Sequence, residues 1–192
     1  NLEDKKDVID TVLSTTRELK EITKKPITKQ TFVRGMKGSQ KIVALACSTG
    51  GPKALQQVIP QLPGNLDSPV IVVQHMPEGF TNSLAQRLNE MSKVKVKEAE
   101  HGEIVKKGVV YIAKGGRQLR LVKNGEAHQI HITDEPPRNG LRPCADIMYE
   151  SLLDANYDEI TCVILTGMGA DGTYGIKQLN DKKNINVIAQ DE

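Results

Sequence analysis

The chain has 192 residues, which is enough for one domain with a sizeable core and a short appendage. A net charge of +2, 3% aromatic residues and no Trp provide neither a strong basic field nor a base-stacking surface, so nucleic acid is not an expected partner. The sequence has no apolar run of bilayer length, no signal-peptide pattern and three cysteines without a CxxC spacing, which favours a reduced, cytoplasmic protein.

Residues 1–40 are expected to form an amphipathic helix and a linker. The charged stretch 2–25 has apolar residues near helical spacing, among them Val8, Val12, Leu19 and Ile22. Pro26 ends this pattern, and the following residues are polar without periodicity, which is typical of a linker. Because the chain starts at Asn1 rather than Met, we expect a piece of a longer protein. The helix is then either a solvated connector or a contact to a further N-terminal module.

Residues 41–192 alternate between strand and helix patterns. Apolar runs predict strands at 41–47, 69–74, 94–98, 109–113, 160–165 and 186–190. Helical spacing predicts helices at 52–59, 81–91 and 144–155, with a further helix after the loop 166–172. Between them, two alternating runs at 118–123 and 127–133 flank Asn124-Gly125, a dipeptide that predicts an antiparallel hairpin with a type I′ turn. The pattern therefore predicts an α/β fold with a parallel sheet and an antiparallel insert.

A tight turn follows the first predicted strand, with the sequence Ser48-Thr49-Gly50-Gly51-Pro52. The two glycines allow a sharp bend, and Pro52 suits the first position of a helix, where a missing N–H group costs nothing. Ser48 therefore lies at the positive end of a helix. In that position a serine can be a nucleophile, part of a phosphate-binding turn or a helix cap.

Two further polar residues follow strands of the same predicted sheet: His75 after 69–74, and Asp171 in the loop after 160–165. Catalytic groups of open parallel sheets gather outside the carboxyl ends of the strands. A serine needs an imidazole to take its proton, and the imidazole needs a carboxylate to fix its tautomer. Ser48, His75 and Asp171 fit these roles. Each also has an ordinary interpretation, as a cap, a strand-end residue or a turn former, and the residues alone leave the choice open.

Other chemically reactive side chains have less support. His101, His128 and His131 are interpreted as surface residues. Cys47 is an alternative nucleophile beside Ser48, but its place in an apolar strand favours a packed core thiol, as does that of Cys162. There is no HxxxH, HExxH or Cys/His cluster, so no metal site is expected.

A phosphate- or nucleotide-binding module is the alternative function from another class, because Ser-Thr-Gly-Gly at a helix N-terminus can bind an anion. The sequence contains no GxGxxG or GxxxxGK[ST] pattern, and Pro52 stands where a Walker loop requires its lysine. A non-catalytic interaction domain is a third interpretation that the residues leave open.

Several motifs together, from about residue 41 to 190, resemble the CheB chemotaxis methylesterase family. They are Cys47-Ser48-Thr49-Gly50-Gly51-Pro52, Gln74-His75-Met76-Pro77-Glu78-Gly79-Phe80-Thr81, Arg142-Pro143, Asp146 and Ile164-Leu165-Thr166-Gly167-Met168-Gly169-Ala170-Asp171-Gly172. The resemblance implies a doubly wound α/β fold with helices on both faces of the sheet. It also implies hydrolysis of glutamate γ-methyl esters on chemotaxis receptors, with release of methanol, and deamidation of particular receptor glutamines. An upstream receiver domain is the implied regulatory partner.

The resemblance also implies roles for individual residues. Ser48 is the implied nucleophile, His75 the general base and acid, and Asp171 the orienting carboxylate; no metal or organic cofactor is implied. The backbone N–H groups of Thr49 and Met168 are the expected oxyanion hole. Members of the family usually continue beyond the last strand with a Gly-Met-Pro segment and another helix. Residues 41–192 are therefore expected to be a C-terminally truncated catalytic domain.

Overall fold

The computed structural model describes residues 40–167 and 169–190. The predicted amphipathic helix and nearly all of the linker lie outside the described residues, and so does Met168. Among the helices of the described residues, none combines the length and the apolar character needed to cross a bilayer.

The described residues form eight strands and four α-helices. The strands are β1 (Lys41–Cys47), β2 (Val70–Gln74), β3 (Lys95–Glu98), β4 (Val109–Ile112), β5 (Gln118–Asn124), β6 (Ala127–Thr133), β7 (Glu159–Ile164) and β8 (Ile185–Ala189). The helices are α1 (Gly51–Val58), which runs into a 3₁₀ turn at Ile59–Gln61, then α2 (Phe80–Met91), α3 (Ala145–Ser151) and α4 (Thr173–Lys182). The predicted strands are confirmed with ends that differ by at most one residue.

Helix α3 is shorter than the predicted span 144–155. Its last turn tightens, because the N–H groups of Leu152 and Leu153 bond to carbonyl groups three residues back rather than four. The following residues include Asp154 and Asn156, whose side chains favour turns over helix. The apolar spacing that continues to Ala155 therefore reflects core packing of a turn, not of a helix.

Six strands form one parallel sheet in the order β3-β4-β2-β1-β7-β8, and β5 and β6 form a separate antiparallel pair. Strand β2 pairs with one edge of β1, and β7, which comes later in the chain, pairs with the other edge of β1. The strand order therefore reverses around β1, and ligand sites of open α/β sheets lie at such a reversal, outside the carboxyl ends of the strands.

Helices cover both faces of the sheet, which confirms the doubly wound arrangement. On β1, Ala44 and Ala46 belong to the apolar cluster that contains residues of α3, α4 and the β5–β6 hairpin. Leu45 and Cys47 belong to the cluster that contains residues of α1 and α2. Because successive side chains of a strand point to opposite faces, one short strand supplies both cores.

The turn of the β5–β6 hairpin differs from the predicted type I′. Asn124 pairs with Ala127, so Gly125 and Glu126 are the two residues of the loop. Gly125 has a φ of 60°, whereas Glu126 is not among the residues with positive φ. A type I′ turn requires positive φ at both central positions, and glycine at the first alone is the signature of type II′. Asn124 is the last residue of the strand.

His128 is buried, and its interpretation as a surface residue is wrong. It is 3% exposed, its ring stacks on Tyr157 with centroids 4.0 Å apart, and its Nε2 accepts the N–H of Asn156 at 3.3 Å. Burial lowers the pKa of His128, since an imidazolium ion would lose solvation there. A protonated ring would also lose the ability to accept the Asn156 N–H group.

We expect this lowered pKa to make the fold less stable in mild acid. The unfolded chain takes up a proton on His128 below a pKa of about 6.5, whereas the folded chain resists it. The contribution to the free energy of unfolding is therefore complete above about pH 6.5 and declines as the pH falls towards the folded-state pKa. Chemical denaturation of the parent and of His128→Gln at several pH values tests this. The parent should lose more stability than the variant between about pH 6.5 and 5; parallel curves would contradict it.

Candidate active site

Ser48 lies at the carboxyl edge of the sheet, directly after β1. Its backbone N–H donates to the carbonyl of Thr166, 2.9 Å away in the loop after β7, and its carbonyl accepts the N–H of Gly51 at 2.8 Å. The residue is half-buried. Among the described residues, the Ser48 hydroxyl has no hydrogen-bond partner.

His75 lies beside Ser48 because of the register between two strands. Cys47 pairs with Gln74, so the residues that follow them are neighbours across a parallel ladder, whose strands are about 4.8 Å apart. The N–H group of His75 extends the ladder by donating to the Cys47 carbonyl at 3.1 Å. The backbones of Ser48 and His75 are therefore neighbours at the same edge of the sheet.

Asp171 reaches His75 from the loop after β7, with 2.7 Å between Asp171 Oδ2 and His75 Nε2. The side chains are 18% exposed for His75 and 7% for Asp171, so the pair is largely shielded from water. If Nε2 carries the proton donated to the carboxylate, Nδ1 has its lone pair free on the other side of the ring. The structure therefore joins the predicted histidine and aspartate directly. Among the described residues, it shows no hydrogen bond between the Ser48 hydroxyl and the ring.

Four donors surround the Asp171 carboxylate. Besides His75, Oδ2 accepts the N–H of Ala145 at 2.6 Å, and Oδ1 accepts the N–H of Asp146 at 3.0 Å and the thiol of Cys144 at 3.1 Å. Burial acts to raise the pKa of Asp171, but the hydrogen bonds from His75, the two amides and the thiol outweigh it, so the pKa lies below its ordinary value. Asp171 is therefore a carboxylate at neutral pH.

Gln74 connects the backbones of the two residues at the strand ends. Its side-chain amide donates to the carbonyl groups of Ser48 at 3.0 Å and of His75 at 3.1 Å, while its Oε1 accepts the Cys47 thiol at 3.0 Å. The residue is 1% exposed. Sequence reasoning missed this role. The available signal was a polar residue at the end of the apolar run of β2, where a buried amide requires partners.

The cysteines are core thiols. Cys47 and Cys162 are buried, as predicted, and burial raises the pKa of each to about 12. The pKa of Cys144 is also raised to about 12, first by burial and then by its hydrogen bond to Asp171. Since the thiolate is the nucleophilic form, none of the three is activated near neutral pH.

Cys144, Asp146 and Asp171 are the three side chains of the described residues whose ligand atoms lie close enough together, within 4.8 Å, to hold a metal ion. Both oxygens of Asp171 and Oδ1 of Asp146 already accept backbone N–H groups. Those dipoles point their positive ends at the cluster, which is an arrangement that stabilises negative charge rather than a cation.

The first turn of α1 shows which N–H groups remain for an anion. Those of Gly51, Lys53 and Ala54 are bonded to the carbonyl groups of Ser48 and Gly50, and Pro52 has none. A phosphate-binding turn needs several convergent free amides. The N–H groups of Thr49 and Gly50 have no partner among the described residues, and both residues are exposed. Two amides suit a single oxyanion better than a phosphate group, which needs several.

The fold and these side chains define a parallel α/β domain with a serine, a histidine and an aspartate at the carboxyl edge of its sheet, an arrangement that serine hydrolases use. The chain belongs to the CheB methylesterase family, whose family model matches residues 43–192.

Individual relatives agree with this membership. The chain is 45% identical over 165 residues to a protein-glutamate methylesterase/protein-glutamine glutaminase of Geobacillus kaustophilus, with coverage of 86% of this chain and 47% of the relative. A Bacillus subtilis protein of the same name is 47% identical over 153 residues, with coverage of 80% and 43%. The crystal structure of the Thermotoga maritima CheB methylesterase catalytic domain superposes with a TM-score of 0.73 at 42% identity, covering 77% of this chain and 78% of that one. The chain spans about half the length of the curated relatives it matches.

Gly51 is the position of the turn where a side chain has no room. A Cβ atom built there would lie 1.8 Å from Gln74 Oε1 and 3.1 Å from Cys47 Cβ. We expect Gly51→Ala to displace the Gln74 amide and to lower the free energy of unfolding by about 1–3 kcal/mol, as overpacking does in other cores. Denaturant titration followed by circular dichroism measures the change.

Gly64→Ala is the matched control, because a Cβ atom there makes only an ordinary contact, 3.5 Å from Lys93 Cβ. This control should leave stability unchanged or raise it by up to about 1 kcal/mol. Equal stability of the two variants would show that the Gln74 amide does not depend on Gly51.

Proposed function

We propose that this chain carries the catalytic domain of a serine esterase that hydrolyses glutamate γ-methyl esters on chemotaxis receptors and releases methanol. The same site deamidates particular receptor glutamines, with ammonia as the leaving group. The observation that carries the proposal is the 2.7 Å contact between His75 and Asp171, whose side chain is 7% exposed, beside Ser48 at the end of the paired strand. The names of the relatives, protein-glutamate methylesterase/protein-glutamine glutaminase, support the substrate.

Ser48, His75 and Asp171 carry the reaction in two steps of acyl transfer. With Nε2–H donated to Asp171, Nδ1 of His75 takes the proton of the Ser48 hydroxyl as its oxygen attacks the ester carbonyl. The protonated ring then gives that proton to the departing methanol. Water, activated by the same ring nitrogen, hydrolyses the acyl-enzyme and restores Ser48. Asp171 stabilises the imidazolium through both halves of the cycle, and its lowered pKa keeps it charged for this task.

The negative oxygen of the tetrahedral intermediate is stabilised by backbone N–H groups. Thr49 supplies one of them, since its N–H has no other partner among the described residues and stands at the N-terminal end of α1. The N–H of Met168 is the second donor of the proposal and lies outside the described residues. A single such donor is worth about 10²–10³ in rate in other enzymes.

The proposal includes the setting of the enzyme. Residues 41–192 are the catalytic domain, and residues 1–40 link it to a receiver domain whose phosphorylation relieves inhibition. The protein acts in the cytoplasm on the cytoplasmic parts of methyl-accepting receptors, and it needs neither a metal nor an organic cofactor. The resemblance of the motifs supports this setting, and the names of the relatives support protein-bound glutamate as the substrate.

Ser48→Ala is the direct test of the nucleophile. Without the hydroxyl no acyl-enzyme forms, so release of labelled methanol from methylated receptor membranes should fall to the background rate. Ser83→Ala is the matched control, since Ser83 is an exposed serine on α2. It should retain the parent rate. Full activity of Ser48→Ala would remove this residue from the mechanism.

Asp171→Asn tests the orienting carboxylate. The amide would turn N–H groups towards donors that now surround the carboxylate, and it would not stabilise an imidazolium ion. We expect kcat to fall by several orders of magnitude, in line with the loss of about 10⁴ in a protease triad. Asp154→Asn is the control, since Asp154 is exposed in the turn after α3. An unchanged kcat for Asp171→Asn in the same methanol assay would exclude Asp171 from the triad.

A further inference from the structure

Helices α3 and α4 both begin without a cap from their own N-cap residue. The N-cap positions are Cys144 for α3 and Gly172 for α4; the Cys144 side chain makes no capping hydrogen bond, and Gly172 has no side chain to make one. The first N–H groups of a helix have no partner within the helix, and buried N–H groups without a partner cost free energy. These two buried helix starts therefore need acceptors from elsewhere.

Each helix receives its cap from the other. Asp171, just before α4, accepts the N–H groups of Ala145 and Asp146 at the start of α3, at 2.6 and 3.0 Å. Asp146, in the first turn of α3, accepts the N–H groups of Gly172 and Gly175 at the start of α4, at 3.0 and 2.8 Å, both through its Oδ1. The two carboxylates thus exchange caps, and each lies at the positive end of the other helix.

The exchange is tight because the two helices are in close contact. Asp146 is 5% exposed. A Cβ atom at Gly175 would lie 2.7 Å from Tyr149 Cβ and 3.0 Å from the Asp146 carbonyl oxygen, so the backbone of α4 rests directly on α3. A shift of α4 along α3 would therefore break the cap or produce a clash.

The N–H group bonded by Asp146 and the side chain of Asp171 are separated by only one peptide unit. The Gly172 N–H that Asp146 holds belongs to the peptide that follows the Cα of Asp171. Asp171 Oδ2 is shared between His75 and the Ala145 N–H, so the place of that oxygen relative to the ring depends on the position of the loop against α3. The hydrogen bond from Gly172 to Asp146 ties the backbone of this loop to α3.

We propose that Asp146 is a positioning residue, whose carboxylate holds the backbone next to Asp171 and thereby sets the contact between Asp171 and His75. The effect on rate rests on the proposed esterase function, whereas the effect on the His75–Asp171 contact does not. Among the described residues, the hydrogen bonds of Asp146 go to Asp171, Gly172 and Gly175 and not to His75 or Ser48.

The test compares Asp146→Ala, Asp146→Asn and Asp146→Glu in the 192-residue chain, with Asp181→Ala as control. The asparagine keeps an oxygen at the Oδ1 position and loses the charge, whereas the glutamate keeps the charge and moves the oxygens by one methylene. Asp181 is an exposed carboxylate at the far end of α4. The control should behave as the parent.

In the methanol assay, Asp146→Ala and Asp146→Glu should lower kcat by about 10- to 100-fold, as small misplacements of catalytic groups do, with KM changed by less than about twofold. Asp146→Asn should stay within about threefold of the parent, because its oxygen can still accept both N–H groups. A purely structural role would lower the unfolding temperature and leave kcat at low temperature unchanged.

A second readout needs no substrate. The proton shared by His75 Nε2 and Asp171 should give a downfield proton resonance in the parent and in Asp146→Asn, and a shifted or exchange-broadened one in Asp146→Ala and Asp146→Glu. If this resonance behaves as expected while no variant or parent releases methanol, the positioning role stands and the esterase function fails.

Two results would overturn the inference. One is a folded Asp146→Ala protein with the parent resonance and the parent kcat. The other is an asparagine variant that is as impaired as the glutamate variant or more so, since the charge rather than the placed oxygen would then matter. This second comparison decides the question even where Asp146→Ala does not fold.

Discussion

The pairing of β1 with a parallel strand on each side is the constraint on which the site depends. Cys47 is in register with Gln74 on β2, and Ala46 is in register with Ile164 on β7. Parallel strands end at the same edge of a sheet, so the residues that follow these three strands emerge together. Side chains that are 27 and 96 positions apart along the chain meet because of this register and not because of any local property.

The fold must also stabilise the negative charge of Asp171. A buried charge is costly unless it is paired and hydrogen-bonded. Here the N-terminus of α3 supplies two amides and Cys144 supplies a thiol. These three donors stabilise the charge of Asp171 in addition to the hydrogen bond with His75. The packing of α3 on α4 is therefore part of the site, although neither helix supplies a reacting atom.

The turn after β1 is held by the Gln74 side-chain amide, which donates to the backbone carbonyl groups of both Ser48 and His75. Gly51 leaves the space for that amide. The same turn uses the N–H groups of the first residues of α1 on its own carbonyl groups. A Ser-Thr-Gly-Gly turn can bind phosphate in principle, but in this chain the amides of Ser48 and Gly51 are occupied. Membership of the CheB methylesterase family agrees with a different use.

Local pattern in the sequence determined the strands, the helices and the strand ends that carry Ser48, His75 and Asp171, because period and turn composition are properties of neighbouring residues. The placement of helices on both faces of the sheet came from the resemblance to the family and is confirmed by the structure. The roles of these three residues, like those of Thr49 and Met168, stay predictions. Only the tertiary structure decided the burial of His128, the amide bridge of Gln74 and the caps exchanged by Asp146 and Asp171. The periodicity of the sequence does not indicate which residue a polar side chain will bond. Burial and long-range packing select that partner, and they exist only once the chain has folded.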